Sequence, residues 1–313
     1  MARTALFSRQ QAGGAFTIAD LEAHPNDIFF VHSGTGTDAA GYGQNPDAPV
    51  ATIDYAIGLC TASKGDVIYV LPGHTETITA AAGILADVAG ISIIGLGHGS
   101  MKPTVTLGTS TAADVNVTAA NVKIKNLRFV NDIDSLVNFL DLDADWCWIE
   151  DCDFVTSSAK EALGFINLAT TKDNFFVRRC RFLQPTDPAG SDGGADTGAI
   201  YLVDTENVEV EDCTFYGNFE TAIIHNRTTA CKNLWVKNCA LYQALSGAEP
   251  FQLVDGATGA MIGGGGITPA EAATTEATLV GTLGNSFFIL QPSAFGNDGA
   301  AGGQGGIVVT AAS

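Results

Sequence analysis

The sequence predicts an all-β protein: a single-stranded right-handed parallel β-helix of about eight coils, with an N-terminal arm and a capping helix. Three observations carry this prediction. The chain contains a degenerate repeat, each repeat alternates apolar with polar residues, and one outward position alternates in charge from repeat to repeat.

The repeat consists of five segments that align at intervals of 25, 28, 33 and 26 residues. They read NVKIKNLRFV from Asn121, WCWIEDCDFV from Trp146, NFFVRRCRFL from Asn174, NVEVEDCTFY from Asn207 and NLWVKNCALY from Asn233. Repeats of this length cannot each bury an apolar face alone, so they must stack on one another.

Each segment alternates apolar and polar residues with the period of two that a half-buried β-strand requires. The alternation predicts four inward-facing columns with one residue per repeat: Val122, Cys147, Phe175, Val208, Leu234; Ile124, Ile149, Val177, Val210, Val236; Leu127, Cys152, Cys180, Cys213, Cys239; and Phe129, Phe154, Phe182, Phe215, Leu241. It breaks once per repeat, at Asn126, Asp151, Arg179, Asp212 and Asn238. Asn and Asp tolerate a left-handed backbone, so the break predicts a sharp bend.

An outward column of charges supports parallel stacking. Its members alternate in sign without exception: Lys125, Glu150, Arg178, Glu211 and Lys237. A shorter column beyond the bend alternates in the same way: Arg128, Asp153 and Arg181. Parallel strands lie about 4.8 Å apart, so stacking places an opposite charge above and below each of these residues.

A third strand in each coil is visible upstream of each segment. These strands begin near Val137, Gly164, Ala199, Ala222 and Phe251, and further β-rich stretches begin at Val67, Ile91 and Val115. Three short strands per coil, joined by bends and loops, are typical of a parallel β-helix.

The chain divides into four predicted parts. Residues 1–27 form an arm, residues 28–64 an N-terminal cap with a strand, a Gly-rich loop and a short helix near Ile53–Cys60, residues 65–255 the β-helix, and residues 256–313 a Gly-rich tail with a strand. The arm is expected to dock on another protein through its basic and aromatic side chains: Arg3, Phe7, Arg9 and Phe16.

Composition excludes several classes of function. The net charge of -19 argues against nucleic acid as a partner. No apolar run has the length of a membrane span, and the first residues lack the apolar stretch of a secretory signal. Four of the seven cysteines form one inward column, which favours synthesis in a reducing cytoplasm.

The run FFVHSGTGTDAAGYGQNPDAPVATIDYAIGLCTASKGDVIYVLPG resembles the opening of pectin-lyase-like right-handed parallel β-helix proteins. The matching motifs are Pro49–Ile57, Gly65–Gly73 and Ile91–Gly97, and the resemblance covers about residues 28–255. Proteins of this kind include lyases, hydrolases, adhesins and structural parts of phage virions. The resemblance therefore implies the fold and leaves the function open.

No catalytic residue is assigned from the sequence. Of the motifs of polygalacturonase-like enzymes only Gly97-His98-Gly99 is present, and His98 is interpreted as a turn residue. Two carboxylate pairs, Asp151 with Asp153 and Glu211 with Asp212, already have roles in the bend and in the charge columns. We expect no cofactor and no metal site, while an enzymatic role stays open.

The insert 185–198 contains Asp187, Asp192 and Asp196. These carboxylates fit either calcium ligation or a solvated Gly-rich loop, because their spacing matches no established calcium-binding loop.

The outermost column of the first strands carries an anomaly. It reads Lys123, Trp148, Phe176, Glu209 and Trp235, so three large aromatic residues face outward. Three explanations are open: cover by a loop or the tail, a subunit interface, and stacking against sugars.

Together these features favour a non-enzymatic phage structural protein, with capsid decoration or cementing ahead of a tail position. We expect it to be anchored by its arm to other virion proteins at the virion surface and to form a homo-oligomer such as a trimer. The alternatives are a tailspike-like polysaccharide depolymerase (a lyase or glycoside hydrolase) and a glycan-binding adhesin. Two close carboxylates in a cleft, not neutralised by Arg or Lys, would favour the depolymerase.

Overall fold

The computed structural model describes residues 27–157, 160–169, 171–185, 198–219, 221–226, 229–244, 249–254, 256–268, 280–281, 286–290 and 294–297. Within these residues the chain winds into a parallel β-helix, in which successive coils contribute strands to three parallel sheets. The predicted fold class is therefore confirmed.

The sheets are named here by their order within a coil. Sheet 1 comprises, among the described residues, Ile28–Val31, Val67–Val70, Ser92–Gly95, Lys123–Lys125, Cys147–Glu150, Asp173–Arg178, Glu206–Glu211, Lys232–Lys237, Thr258–Ile262 and Ser286–Leu290. Sheet 2 comprises Thr75–Ile78, Thr104–Leu107, Arg128–Asn131, Asp153–Val155, Arg181–Gln184, Thr214–Gly217, Ala240–Gln243, Gly265–Thr268 and Ala294–Asn297. Sheet 3 comprises Ile84–Ala86, Val115–Val117, Leu140–Leu142, Gly164–Leu168, Gly198–Leu202, Ala222–Asn226, Glu249–Gln252 and Val280–Gly281.

The core fills the inside of the coil. All four predicted inward columns are buried. Down the fourth column the phenylalanine rings stack, with centroids 5.1 Å apart for Phe129 and Phe154, 4.9 Å for Phe154 and Phe182, and 4.5 Å for Phe182 and Phe215. The strand spacing thus brings identical side chains into contact from coil to coil.

The bend between sheets 1 and 2 has the predicted conformation in every repeat. The φ angle at this position is positive throughout: 57° at Asn126, 56° at Asp151, 53° at Arg179, 54° at Asp212 and 51° at Asn238. Asn126 also ties the bend to the preceding coil, because its Nδ2 donates to the carbonyls of Gly95 at 2.8 Å and Gly97 at 3.0 Å.

The charge column has the predicted register, with Glu150 between Lys125 and Arg178 and Glu211 between Arg178 and Lys237. Ion pairs form along it, as between Arg178 and Glu211 at 3.3 Å.

Others run diagonally into the outermost column, as between Lys237 and Glu209 at 2.7 Å and between Lys123 and Glu150 at 3.1 Å. Long side chains reach diagonal as well as direct cross-strand neighbours, so the two columns form one network.

The helix Ile53–Leu59 closes the first coil, and its position confirms the predicted capping helix. Thr52 caps its N-terminus by accepting a hydrogen bond from the Tyr55 amide at 3.3 Å. The helix buries Ile53, Ala56 and Ile57 in the same core as the strands. It therefore shields the apolar end of the solenoid from water.

The sheets extend further than the predicted boundaries of the β-helix. Ile28–Val31, assigned to the cap, is the first strand of sheet 1. Thr258–Ile262 pairs with Lys232–Lys237, so the solenoid does not end at residue 255. Gly263 turns this corner with a φ of 68°, where the earlier repeats have Asn, Asp or Arg.

Several predicted features lie outside the described residues. These are the arm residues Arg3, Phe7, Arg9 and Phe16, the insert residues Asp187, Asp192 and Asp196, and the tail from residue 298 onward. In the part of the chain that the structure describes, no helix has the length and apolar character that crossing a membrane requires.

Candidate functional site

The predicted aromatic column lies on the outer face of sheet 1. The register places Trp148 beside Phe176, Phe176 beside Glu209, and Glu209 beside Trp235. The rings of Trp148 and Phe176 stack with centroids 5.3 Å apart and an interplanar angle of 7°. All three aromatic side chains are half-buried, so none of them is fully covered by the described residues.

Trp146 belongs to this face, and sequence reasoning missed it. Its side chain is 44% exposed, and its ring lies 6.0 Å from that of Trp148 and 6.2 Å from that of Phe176. Its φ is 60°, a left-handed conformation that is unusual for a bulky residue. The other four repeats have asparagine at this position. The tryptophan at the start of the second aligned segment could therefore have indicated an additional aromatic residue on this face.

A groove opens between Phe176 and Trp235, because Glu209 takes the place of a ring between them. It has a volume of about 340 Å³ and is lined by Phe176, Asn207, Val208, Glu209, Asn233, Trp235 and Lys237. Strands two steps apart in a sheet are separated by about 9.6 Å. The groove is therefore about one ring thick, and we call it the slot.

Ion pairs and aromatic contacts fix one side of the slot. The Glu209 carboxylate accepts hydrogen bonds from Lys237, at 2.7 Å, and from Arg178. Burial opposes ionisation of Glu209, but the hydrogen bonds and charges of these two cations outweigh it and lower its pKa. The same cations lie over the walls, with the Arg178 guanidinium carbon 5.4 Å from the Phe176 centroid and the Lys237 Nζ 6.0 Å from that of Trp235.

A ladder of amides fixes the other side. Asn233 Nδ2 donates to Asn207 Oδ1 at 2.7 Å, and Asn207 Nδ2 donates to Asn174 Oδ1 at 3.3 Å. Trp235 Nε1 donates to Asn233 Oδ1, which holds the indole in place. The slot thus combines two aromatic walls with amide and charged groups at its edges.

Three of the four carboxylates weighed from the sequence have ion-pair partners, and the fourth, Asp212, occupies the bend with a φ of 54°. Asp151 lies 2.7 Å from Arg179, Asp153 lies 3.0 Å from Lys102, and Glu211 pairs with Arg178. His98 begins the short 3-10 turn Gly99–Met101, at the turn position expected for it.

Sheet 3 carries a polar column that the sequence reasoning did not identify. Successive strands present Asn116, Asp141, Asn167, Tyr201 and His225 at one position of the register. The signal was present in the third-strand segments, whose alternating outward residues are polar.

Two carboxyl groups meet beside this column. Asp141 Oδ1 accepts from Asn167 Nδ2 at 2.6 Å and from Asn138 Nδ2 at 3.2 Å. Burial raises the pKa of Asp141 to about 6, and it also raises the pKa of Asp114. Asp114 lies close enough for its charge to contribute to the rise in the pKa of Asp141. The negative charge of Asp143 acts in the same direction on both. Such a pair holds a proton that isolated carboxylates would have lost.

Metal ligation finds no support among the described residues, since no group of three or more His, Cys, Asp or Glu side chains there has an arrangement that could hold an ion.

Comparisons with known proteins bear on the fold. No protein-family model and no curated protein matches the chain. A solved rhamnogalacturonan lyase matches with a TM-score of 0.50 at 12% identity, over 90% of each chain. The fold is that of the pectin-lyase-like parallel β-helices.

A second structure, Geobacillus virus E2 ORF18, aligns with a TM-score of 0.36 at 15% identity, over 78% of this chain and 57% of that one. Neither likeness assigns a function to this β-helix, because the first concerns the fold alone and the second is too weak to support an argument.

Proposed function

We propose that this β-helix is a non-enzymatic structural protein of a phage virion, a capsid decoration protein anchored by residues 1–27 and displayed at the virion surface. The pectin-lyase-like β-helix proteins that the sequence resembles include such virion components. The structural observation that carries the proposal is an apolar stripe on the outside of sheet 2.

The stripe occupies one outward position on successive strands: Val130, Val155, Leu183, Tyr216 and Tyr242. Tyr216 is 47% exposed, and its ring stacks on that of Tyr242 with centroids 4.6 Å apart. Contiguous apolar surface on a soluble protein usually marks a contact with another chain. We assign the stripe to contacts between copies of this protein, packed side by side as in a trimer.

The charge distribution supports the same assignment. A net charge of -19 makes separate molecules repel one another. Beside the stripe, however, sheet 2 carries Arg128 and Arg181 on either side of Asp153, so this face is less acidic than the chain as a whole. Copies can therefore approach here at a lower electrostatic cost than the net charge alone would suggest.

Co-expression with the capsid and tail proteins of the same genome tests the anchoring. We expect the full-length chain to sediment with assembled particles, and a variant with Arg3→Glu and Arg9→Glu to stay in the supernatant with unchanged circular dichroism. The proposal would be contradicted if assembled particles did not incorporate the co-expressed full-length chain, or if they retained the variant as well as the wild type.

Light scattering after size exclusion tests the stripe. Tyr216→Ser with Leu183→Ser is expected to give a monomer, whereas Tyr42→Ser, at an exposed tyrosine in the cap loop, should leave the oligomer intact. A wild-type monomer at all concentrations would show that the stripe is no interface between copies.

A second candidate function is polysaccharide cleavage, and the Asp114–Asp141 pair favours it. One carboxyl group that can hold a proton near neutral pH could act as a general acid, and the second carboxyl group beside it as a general base. Incubation with a panel of bacterial and plant polysaccharides, read by reducing ends and by the ultraviolet absorbance of unsaturated products, tests it. Turnover that is lost in Asp141→Asn and Asp114→Asn would establish the enzyme, and no turnover on any polymer would favour the structural role.

A further inference from the structure

We propose that the slot between Phe176 and Trp235 binds one neutral sugar ring, the terminal or branching residue of a saccharide. The inference concerns a different sheet from the apolar stripe and does not depend on how the protein is anchored.

The first argument is the size of the slot. Trp148 and Phe176 show how rings pack in this column, nearly parallel and 5.3 Å apart. Phe176 and Trp235 occupy strands about 9.6 Å apart, with the non-aromatic Glu209 between them. One additional ring inserted between the two walls therefore lies about 4.8 Å from each, the spacing at which rings in this protein already stack.

The second argument is the chemistry of the edges. A sugar ring presents C–H groups on its faces and hydroxyl groups around its rim. Its faces suit the two aromatic walls, and its rim meets the amides of Asn207 and Asn233 and the carboxylate of Glu209. Each amide nitrogen has two hydrogens and each oxygen two lone pairs, so the amide ladder retains hydrogen-bonding capacity for hydroxyls.

The third argument selects a neutral ring. Arg178 and Lys237 beside the slot are already paired with Glu209 and Glu211, so the charges around it balance. The chain as a whole carries a net charge of -19. An acidic sugar or a nucleotide would be repelled at long range and would find no unpaired cation among these groups.

The fourth argument is that the walls are held before any ligand arrives. Phe176 is packed against Trp148 and flanked by Trp146. Trp235 is fixed by its hydrogen bond to Asn233 and by Lys237 over its ring. Trp146 shares the left-handed conformation of this position with the asparagines of the other repeats, so the backbone of the coil fixes its place beside Phe176. A preformed site loses little conformational entropy on binding.

The test uses the full-length protein and a glycan array, followed by titration calorimetry with the neutral oligosaccharides retained and with oligogalacturonate as the acidic comparison. Glu209→Phe is the sharpest variant, because a ring at this position continues the aromatic stack and fills the slot without removing a wall. We expect Glu209→Phe and Trp235→Ala to raise the Kd at least about tenfold. Tyr42→Ala, at an exposed tyrosine of the cap loop outside both the slot and the stripe, should leave the Kd unchanged.

Three results would overturn the assignment: no neutral saccharide retained on the array, equal binding by wild type and Glu209→Phe, or tighter binding of the acidic oligosaccharide. A loss of particle association in Glu209→Phe would reassign the slot to a protein contact. The array and the sedimentation assay are separate measurements, so a failure of the sugar site is distinguishable from a failure of the virion role.

Discussion

Arg179 holds a left-handed backbone with φ of 53°, and its Nε lies 2.7 Å from Oδ1 of Asp151, the bend residue of the preceding coil. A cation thus occupies a position where the neighbouring repeats have Asp or Asn, and it pairs with the carboxylate beneath it. Burial opposes the charge slightly, but the hydrogen bond to Asp151 outweighs it and raises the pKa of Arg179.

Replacing Arg179 separates backbone strain from ion pairing. Arg179→Asn keeps a residue suited to the left-handed region and loses the pairs with Asp151 and Glu150. The guanidinium is exposed and Glu150 keeps its pair with Lys123, so the cost should be about 1 kcal/mol. Arg179→Val puts a β-branched residue there and should cost about 1–2 kcal/mol more. Urea denaturation measures both. Equal stabilities would show that the bend does not require the left-handed conformation.

The ion pair between Lys102 and Asp153 should contribute more than those on the surface. Lys102 Nζ lies 3.0 Å from Asp153 Oδ2 and 2.6 Å from the Asp151 carbonyl, and Lys102 is 9% exposed. Lys102→Met leaves the buried Asp153 carboxylate with only the more distant Arg128, at 3.7 Å, so we expect a loss of about 3 kcal/mol.

The matched control for Lys102 is Lys232→Met. It removes an exposed pair with Glu206 at 3.0 Å and should leave the free energy of unfolding nearly unchanged. Similar losses in the two variants would contradict a special role for the buried pair.

The cysteines should be unreactive in the folded protein. Six of the seven are buried, and burial raises the pKa of Cys147 and of Cys231 to about 12. Since the thiolate is the reactive form, we expect Ellman's reagent at pH 8 to label at most Cys60 in the native state and all seven thiols after denaturation. Rapid labelling of several thiols in the native state would contradict the packed column.

These thiols also give a pH dependence of stability. The pKa of Cys147 and that of Cys231 are higher in the folded than in the unfolded chain, so the contribution of these two thiols is complete below the unfolded value of about 9 and is lost as the pH rises toward 12. Chemical denaturation between pH 8 and pH 11 should show the decline, and Cys231→Ala should reduce it. A flat profile in this range would contradict the prediction.

Asp141 predicts a second pH dependence, at acidic pH. Its folded pKa of about 6 exceeds the ordinary value of 3.8, so stability is greatest below 3.8 and falls as the pH rises toward 6. Asp141→Asn removes the titration and should be more stable than wild type at pH 7 by about 1 kcal/mol, allowing for water around this partly exposed group. The difference should shrink at pH 4; a constant difference would assign the effect to packing instead.

The sequence predicts those parts of the fold that repeat. Buried columns, bends and strand register follow from period-two alternation over five aligned segments, and even Arg179, whose residue type does not favour a left-handed bend, is placed by its column. The slot could also have been predicted, because the outermost column places a carboxylate between two aromatic residues, in the order Phe176, Glu209, Trp235.

Contacts that involve irregular segments could not be predicted from the alternation of apolar and polar residues. Lys102 comes from the turn before a strand of sheet 2, and its partner Asp153 belongs to a coil far along the chain. Asp114 and Asp141 come from adjacent coils, and Asp114 precedes its strand, so alternation alone does not align them. A strand was predicted in the tail, but the continuation of the coils beyond residue 255 was not, because glycines replace the residues that mark the earlier bends.

In the five aligned repeats the corner between sheets 1 and 2 keeps one form, a left-handed residue followed by a buried one such as Cys152 or Cys180. The connection from sheet 2 to sheet 3 instead ranges from residues 218–221 in one coil to residues 185–197 in another. Length variation is thus concentrated along one edge of the solenoid. Foreign peptides could therefore be inserted within residues 185–197. A single residue inserted at the corner between sheets 1 and 2 would instead move the inward-facing side chains of the following strand to its outer face.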